Sequence, residues 1–350
     1  MNIQTLIKKY KESAKITGIS VGLINESKVE FFNYGEIKNH SHIVPDENTV
    51  FEIASVSKTF TSILFAILQK EQLLDKDDLV IQYIPELTKV SGFEKITLYH
   101  LATHTSGLPN LPAKFILTNL LATLKQKNTY GNLPIFSSND LIDFFAKSKP
   151  KSAGATWSYS NGGMGLLGHI LERITGTSYE DLIKEKICNK LGMNDTGIDL
   201  FDSHKGNIAT GHSYFGKPTE HWIAPSLEGA IGLYSTANDL VKFLKGNLGL
   251  IDTEILPEMI YCQESRFIPQ MSYFMKKIMF PLLGVKFDQM ALGWMTQKTP
   301  NDILFYDGGT GAFSSFVGIY PSRKRGVVVL ANKLSKSTHK LGMDLLKAKP

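Results

Sequence analysis

Three short segments carry residue types suited to acyl chemistry: Ser55-Val56-Ser57-Lys58, Tyr159-Ser160-Asn161 and the glycine-rich Tyr306-Asp307-Gly308-Gly309. A serine hydroxyl is a weak nucleophile at neutral pH and needs a base beside it. Where histidine does not supply that base, a lysine and a tyrosine can, once their pKa values are adjusted by burial and neighbouring charge. Ser55 and Lys58 are three apart, so on a helix they share a face and the amine can approach the hydroxyl. Phe60, Ile63, Leu64, Phe65, Ile67 and Leu68 follow, apolar on nearly every face, which predicts a buried central helix with Ser55 at its positive end. Burial there would lower the Lys58 pKa and leave part of it neutral. Tyr159 is expected to be lowered by an adjacent cation, so that its phenolate can take the serine proton, and Asn161 to hold the lysine and a substrate amide.

Context separates these segments from their imitators. Ser148–Lys151 and Ser337–Lys340 repeat the SxxK spacing in a lysine-rich loop and on a polar helix, and Tyr130-Gly131-Asn132 repeats YxN in a polar loop. Gly18-Ile19-Ser20-Val21-Gly22 fits a nucleophile elbow, but that device needs a strand, a sharp turn and a helix, and Ser20 lies inside a continuing β run. His100 and His104 have the i, i+4 spacing of a helical zinc pair without its glutamate, and read as structural histidines. Gly308-Gly309-Thr310-Gly311 lacks the lysine of a P-loop. For Ser55 and Lys58 alone, a helix cap and a surface lysine would be the plainer reading.

The chain has 350 residues, 43% hydrophobic and 20% charged, enough for a large core. Its net charge of +5 comes from scattered lysines and forms no basic stripe, which argues against a nucleic-acid partner. Arg323-Lys324-Arg325 reads as a polar turn between strands. Cys188 and Cys262 have neither metal-type spacing nor a disulfide framework. The lysine-rich start, Met1 to Gly18, lacks the apolar core of a secretory signal, and no run is long enough to cross a bilayer. A cytoplasmic location is expected.

The positioning elements follow from periodicity and turn chemistry. Ile19–Ile24 and Val29–Tyr34 read as a hairpin around Asn25-Glu26-Ser27, and Ser315–Tyr320 and Gly326–Ala331 as another around 321–325. A helix is expected at each chain end, over 335–347 at the C-terminus, with mostly helical sequence between. The prediction is an α+β unit over 1–350, its antiparallel sheet built from about 1–50 and 286–350, with a mainly helical part over about 51–285. The active site should lie in the crevice between the two parts. The methionine- and aromatic-rich stretch 251–284 reads as core, a membrane-surface helix or a lid over the cleft.

With Leu101-Ala102-Thr103-His104-Thr105-Ser106-Gly107-Leu108-Pro109, Leu191-Gly192-Met193, the segment from Gly232 to Leu240 and Leu292-Gly293-Trp294, the chain resembles the penicillin-recognising serine hydrolases over roughly residues 10 to 333. These are class C β-lactamases, D-Ala-D-Ala peptidases and family VIII esterases. The resemblance implies a β-lactamase/transpeptidase-like fold. It makes Ser55 the nucleophile, Lys58 its proton-transfer partner, Tyr159 the general base and Asn161 a substrate-positioning group. The third family motif, Lys-Thr-Gly or His-x-Gly, falls on Tyr306-Asp307-Gly308, which would line the substrate, and the N–H groups of Ser55 and Gly309 would form an oxyanion hole. No metal or organic cofactor is implied.

Tyr306 departs from the motif by removing the cation expected to bind a substrate carboxylate. A hydrogen bond to a charged group contributes about 1.5–3 kcal/mol. The expectation is therefore a serine hydrolase, acting through an acyl-Ser55 intermediate on a small-molecule ester or peptide with weak or no β-lactamase activity. The alternatives are a β-lactamase or D-Ala-D-Ala carboxypeptidase proper, and a non-catalytic binding or regulatory member of the same fold.

Overall fold

The computed structural model describes residues 2–348 apart from 112–136, 201–202, 214, 265, 267–269, 271–284 and 298–301. Helix α1 (Ile3–Ser13) leads into β1 (Gly18–Asn25) and β2 (Lys28–Gly35), joined by a tight turn in which Glu26 takes a left-handed φ of 57°. Five more strands come late in the chain: β3 (Gln289–Met290), β4 (Met295–Gln297), β5 (Ile303–Gly309), β6 (Ser314–Tyr320) and β7 (Arg325–Ala331). They assemble as one seven-stranded antiparallel sheet in the order β2-β1-β7-β6-β5-β4-β3. Both expected hairpins are present, within a residue of their expected limits.

The first and last long stretches of sheet meet in register, Ile19 opposite Ala331 and Leu23 opposite Val327. Strands β6 and β7 are buried throughout, as expected of central strands covered on both faces. The C-terminal helix α6 (Ser337–Lys347) lies over β6 and β7, with α1 against it. The opposite face takes α5 (Ala237–Asn247). Arg325 is no solvated turn residue: it is buried and donates to the carbonyls of Leu345 and Ala348, tying β7 to the end of α6.

Helix α2 (Ser57–Lys70) is the hub. Every residue from Ser57 to Leu68 is buried, the structural outcome of a segment apolar on nearly all sides. It packs against α3 (Asn161–Thr175), the short α4 (Glu228–Ile231) and the helix Leu256–Gln263. Met259 and Cys262 are buried there, so this part of 251–284 belongs to the core. Residues 265, 267–269 and 271–284 of that stretch, with the lid and membrane-surface readings that fall on them, and the second YxN at Tyr130–Asn132 lie outside the described residues. Cys188 and Cys262 are both buried free thiols. Among the described residues no helix is long and apolar enough to cross a membrane.

Candidate active site

Ser55 lies in a single 3-10 turn, Ala54–Val56, between the two-residue strand Phe51–Glu52 and α2. The helix proper starts at Ser57, so Ser55 precedes it by one turn residue and Lys58 occupies its first turn. Ala54 is held at φ 48°, a left-handed conformation costly for a residue with a side chain. Ser57 Oγ secures the turn by donating to Ala54 O at 2.7 Å, while Leu233 N donates to that hydroxyl at 3.1 Å.

The Lys58 side chain is 1% exposed, and its Nζ finds Ser55 Oγ at 3.0 Å, Asn161 Oδ1 at 2.8 Å and Ala230 O at 2.7 Å. None of these is a carboxylate. Burial therefore acts alone on the amine and lowers its pKa well below the ordinary lysine value. The amide and carbonyl oxygens can only accept. A neutral Lys58 that donates to both turns its lone pair to Ser55 Oγ, the arrangement of a base waiting for the serine proton.

Tyr159 and Asn161 reach the same point because α3 begins there. Ser160 caps it, its Oγ accepting from Gly163 N at 2.9 Å. The Tyr159 hydroxyl stands 2.8 Å from Ser55 Oγ and 3.2 Å from Asn161 Oδ1, and Lys58 Nζ lies 5.0 Å from the centre of its ring. Here the sequence-based expectation needs correction. The phenol is not lowered by the lysine: burial pushes it up to about 12, against smaller lowering contributions from Ser55 and Tyr306. Proximity to a cation was legible in the motif; the depth of burial was not.

Two neighbours of the site were not assigned to it from the sequence. Ala230 O is a backbone carbonyl brought to Lys58 by the close approach of α4 and α3; a Cβ on Gly168 would stand 3.1 Å from Gly229 Cα. Thr61 Oγ1 fixes α4 from the other side, donating to Gly229 O at 2.6 Å. His104 is the second. Fully buried, its ring lies 4.7 Å from that of Tyr159, and burial, helped by Lys58, drives its pKa down to about 3. His100 accepts from Thr97 N through Nδ1 at 3.1 Å, an end-of-helix contact.

The third segment lies on β5. Tyr306 is 1% exposed, and burial followed by the Tyr159 and Asp307 charges raises its pKa well above the ordinary tyrosine value. Among the described residues its hydroxyl makes no hydrogen bond of ordinary geometry, but it lies near enough to the Tyr159 hydroxyl for each to perturb the other. Gly308, on the same face of the strand, presses against the nucleophile segment. A Cβ there would stand 2.2 Å from both Ile53 O and Ser315 Oγ, and Ser315 Oγ already donates to Ile53 O at 2.7 Å. Gly309 ends the strand, exposed, opposite Ser314.

Asp307 does not join them. Alternation along β5 turns it to the α6 face, where its carboxylate meets His339 Nδ1 at 2.9 and 3.1 Å. Of the expected residues, Ser55, Lys58, Tyr159, Asn161 and Tyr306 converge, Gly308 brings its backbone against the nucleophile segment, Gly309 ends the strand beside it, and the Asp307 side chain points elsewhere.

Comparison with known proteins agrees with this fold. The family described as Beta-lactamase matches residues 3–348. A "Beta-lactamase" of Pseudomonas fluorescens is 30% identical, the match covering 95% of this chain and 92% of that protein. The "Beta-lactamase" of Escherichia coli (strain K12) is 28% identical over 92% of this chain and 85% of its own length. The structure of a class C β-lactamase from Rhodobacter sphaeroides superposes with a TM-score of 0.78 at 26% identity, covering 98% of this chain and 97% of that one. A β-lactamase/D-alanine carboxypeptidase from Pseudomonas syringae reaches a TM-score of 0.82 at 23% identity, covering 99% and 98%, a likeness of fold.

Proposed function

The chain belongs to the Beta-lactamase family, and from that membership we propose a serine hydrolase that acylates Ser55 and cleaves esters or amides in preference to β-lactams. One observation carries the preference. A buried phenol, Tyr306, faces Tyr159 at the place where the family motif calls for a lysine or histidine. A neutral hydroxyl there can donate a hydrogen bond but offers no charge to a substrate carboxylate, the anionic handle of a β-lactam.

In the reaction Ser55 Oγ attacks the substrate carbonyl carbon while neutral Lys58 accepts the hydroxyl proton. The C=O bond opens to a tetrahedral oxyanion, met by the N–H groups of Ser55 and Gly309; loss of one such donor typically costs about 10²–10³ in rate. Collapse re-forms the carbonyl and breaks the bond to the leaving alcohol or amine. That group takes a proton from the Tyr159 hydroxyl as the Lys58 ammonium gives its own proton to the phenol oxygen, which leaves both side chains neutral again. Water then attacks the acyl-Ser55 ester along the reverse proton path and releases the acid. With its pKa raised to about 12, Tyr159 acts as a protonated relay and Lys58 as the base.

A substrate panel tests the reading. Rates on p-nitrophenyl acyl esters, nitrocefin and D-amino-acid peptides are compared for wild-type protein and Ser55→Ala. Ester or peptide turnover lost in Ser55→Ala, with nitrocefin slower than both, is expected. Rapid nitrocefin hydrolysis without ester or peptide cleavage would sink the preference, and turnover surviving Ser55→Ala would sink the mechanism.

A further inference from the structure

His104 grips the chain on either side of Tyr159. Its carbonyl accepts the N–H of Ser158 at 2.8 Å, and its Nδ1 accepts the N–H of Ser160 at 3.2 Å. Between those two bonds the Tyr159 ring lies against the imidazole, centroids 4.7 Å apart and planes inclined by 40°. Trp157 meets the same imidazole edge-on at 6.0 Å. The histidine is itself set with care: it sits just past the helix Leu98–Ala102 at φ 57°, a backbone shape that aims its carbonyl and ring toward the same strand of chain.

We propose that His104 is the positioning residue for the Tyr159 hydroxyl: it clamps both flanking backbone N–H groups and backs the phenol ring, so that the oxygen stays on Ser55 Oγ. This rests on the reading of Ser55 as an acylated nucleophile. His104 does not touch that serine or the reacting atoms; it works through Tyr159. A 2.8 Å contact between two rotatable hydroxyls is easily lost, because a tyrosine ring swings on two torsions. Fixing the backbone before and after the residue, together with one ring face, removes most of that freedom.

The clamp requires a bare Nδ1, so the ring proton sits on Nε2 and the histidine is neutral. Its surroundings enforce this. Among the described residues the titratable groups facing it are Lys58 from α2 and Tyr159 from the segment before α3, with no carboxylate to pair a charged imidazole, which would also repel any protonated Lys58. An acceptor that never protonates should therefore substitute for it, whereas an apolar side chain of similar bulk should not.

The experiment compares His104→Asn, whose Oδ1 can accept the Ser160 N–H, with His104→Leu, which fills space without accepting. Single-turnover acylation by a p-nitrophenyl ester is measured in wild-type and Tyr159→Phe backgrounds. His104→Leu is expected to slow acylation about 10²-fold with KM changed less than about threefold, the size of loss that a misplacement near 1 Å causes. His104→Asn should stay within about tenfold of wild type, and in the Tyr159→Phe background His104→Leu should cost less than about threefold, since residues acting as a unit are not additive. An equal loss in both backgrounds, or full activity in a folded His104→Leu, overturns the proposal. Fluorine NMR of fluorotyrosine-labelled Ser55→Ala protein reads the phenol without turnover. The resonance that vanishes in Tyr159→Phe should move in His104→Leu and keep its place in His104→Asn. If it does so while wild type acylates nothing, the hydrolase reading fails and the clamp stands; if it is unmoved by His104→Leu, the clamp fails.

Discussion

Lys58 Nζ stands 3.0 Å from Ser55 Oγ, and its other two contacts are with oxygens that cannot donate. The amine is thus built to lose a proton, not to form an ion pair. Lys58→Ala should lower the acylation rate by about 10³-fold or more while leaving the protein folded, a loss at the middle of the range for general-base removal. Lys58→Arg should fail equally, because a guanidinium keeps its proton. The pH profile carries the sign: kcat/KM should rise with pH as Lys58 deprotonates, through a midpoint well below the ordinary lysine value because burial lowers it. A pH-rate profile of wild type, with Lys58→Arg as control, checks both.

Tyr306→Lys should restore a cation beside Tyr159 and shift preference toward β-lactams. A charged hydrogen bond contributes about 1.5–3 kcal/mol, so nitrocefin kcat/KM should rise by about 10- to 100-fold. Tyr306→Phe removes only the hydroxyl that helps lower the Tyr159 pKa. Ester acylation should then change by less than about threefold, because among the described residues that hydroxyl makes no hydrogen bond of ordinary geometry to lose. Steady-state kinetics on both substrates for the two variants decide the point.

Gly308→Ala should damage catalysis more than stability. The added methyl would stand 2.2 Å from Ile53 O, a backbone atom two residues before the nucleophile, so β5 or the Ser55 turn must shift. A shift near 1 Å costs about 10²-fold in rate, while overpacking costs about 1–3 kcal/mol. Acylation kinetics and thermal melting together separate the two effects.

Glu228 opens α4, close to Glu172 and Glu180, and burial with those charges raises its pKa to about 7. A carboxyl raised in the folded state favours its protonated form there. Its contribution is complete below the unfolded value near 4.5 and is lost as pH rises through about 7. Glu228→Gln should therefore match wild type at low pH and exceed it above pH 7, by on the order of 2 kcal/mol. Urea unfolding at pH 4.5 and pH 8 measures the difference.

What the sequence revealed depended on how local the signal was. The hairpins around Glu26 and Lys324, the buried α2 and the grouping of Ser55, Lys58, Tyr159 and Asn161 were legible because side-chain type and period carry them. Ala230 O was invisible, since every residue has a carbonyl and only the packing of glycines in α3 against α4 selects this one. The Tyr159 pKa was misjudged because a motif shows the neighbouring lysine but not the loss of water. His104 was read with His100 as structural because the zinc-pair spacing lacked its glutamate, and spacing says nothing of backbone partners. Asp307 was misplaced for a simpler reason: alternation along a strand already separates it from Tyr306 and Gly308.

Gly18 N is hydrogen-bonded to Asn332 Oδ1 across 314 residues of chain, beside the pairing of β1 with β7. A ribosome adding about 5–20 residues per second needs roughly 15–60 s to span that interval. Throughout it the β1–β2 ribbon waits with one edge bare and apolar, a ready template for neighbouring chains. Production yield should thus hinge on what shelters that edge during translation, and joining the termini with new ends cut elsewhere would let β1 and β7 emerge close together.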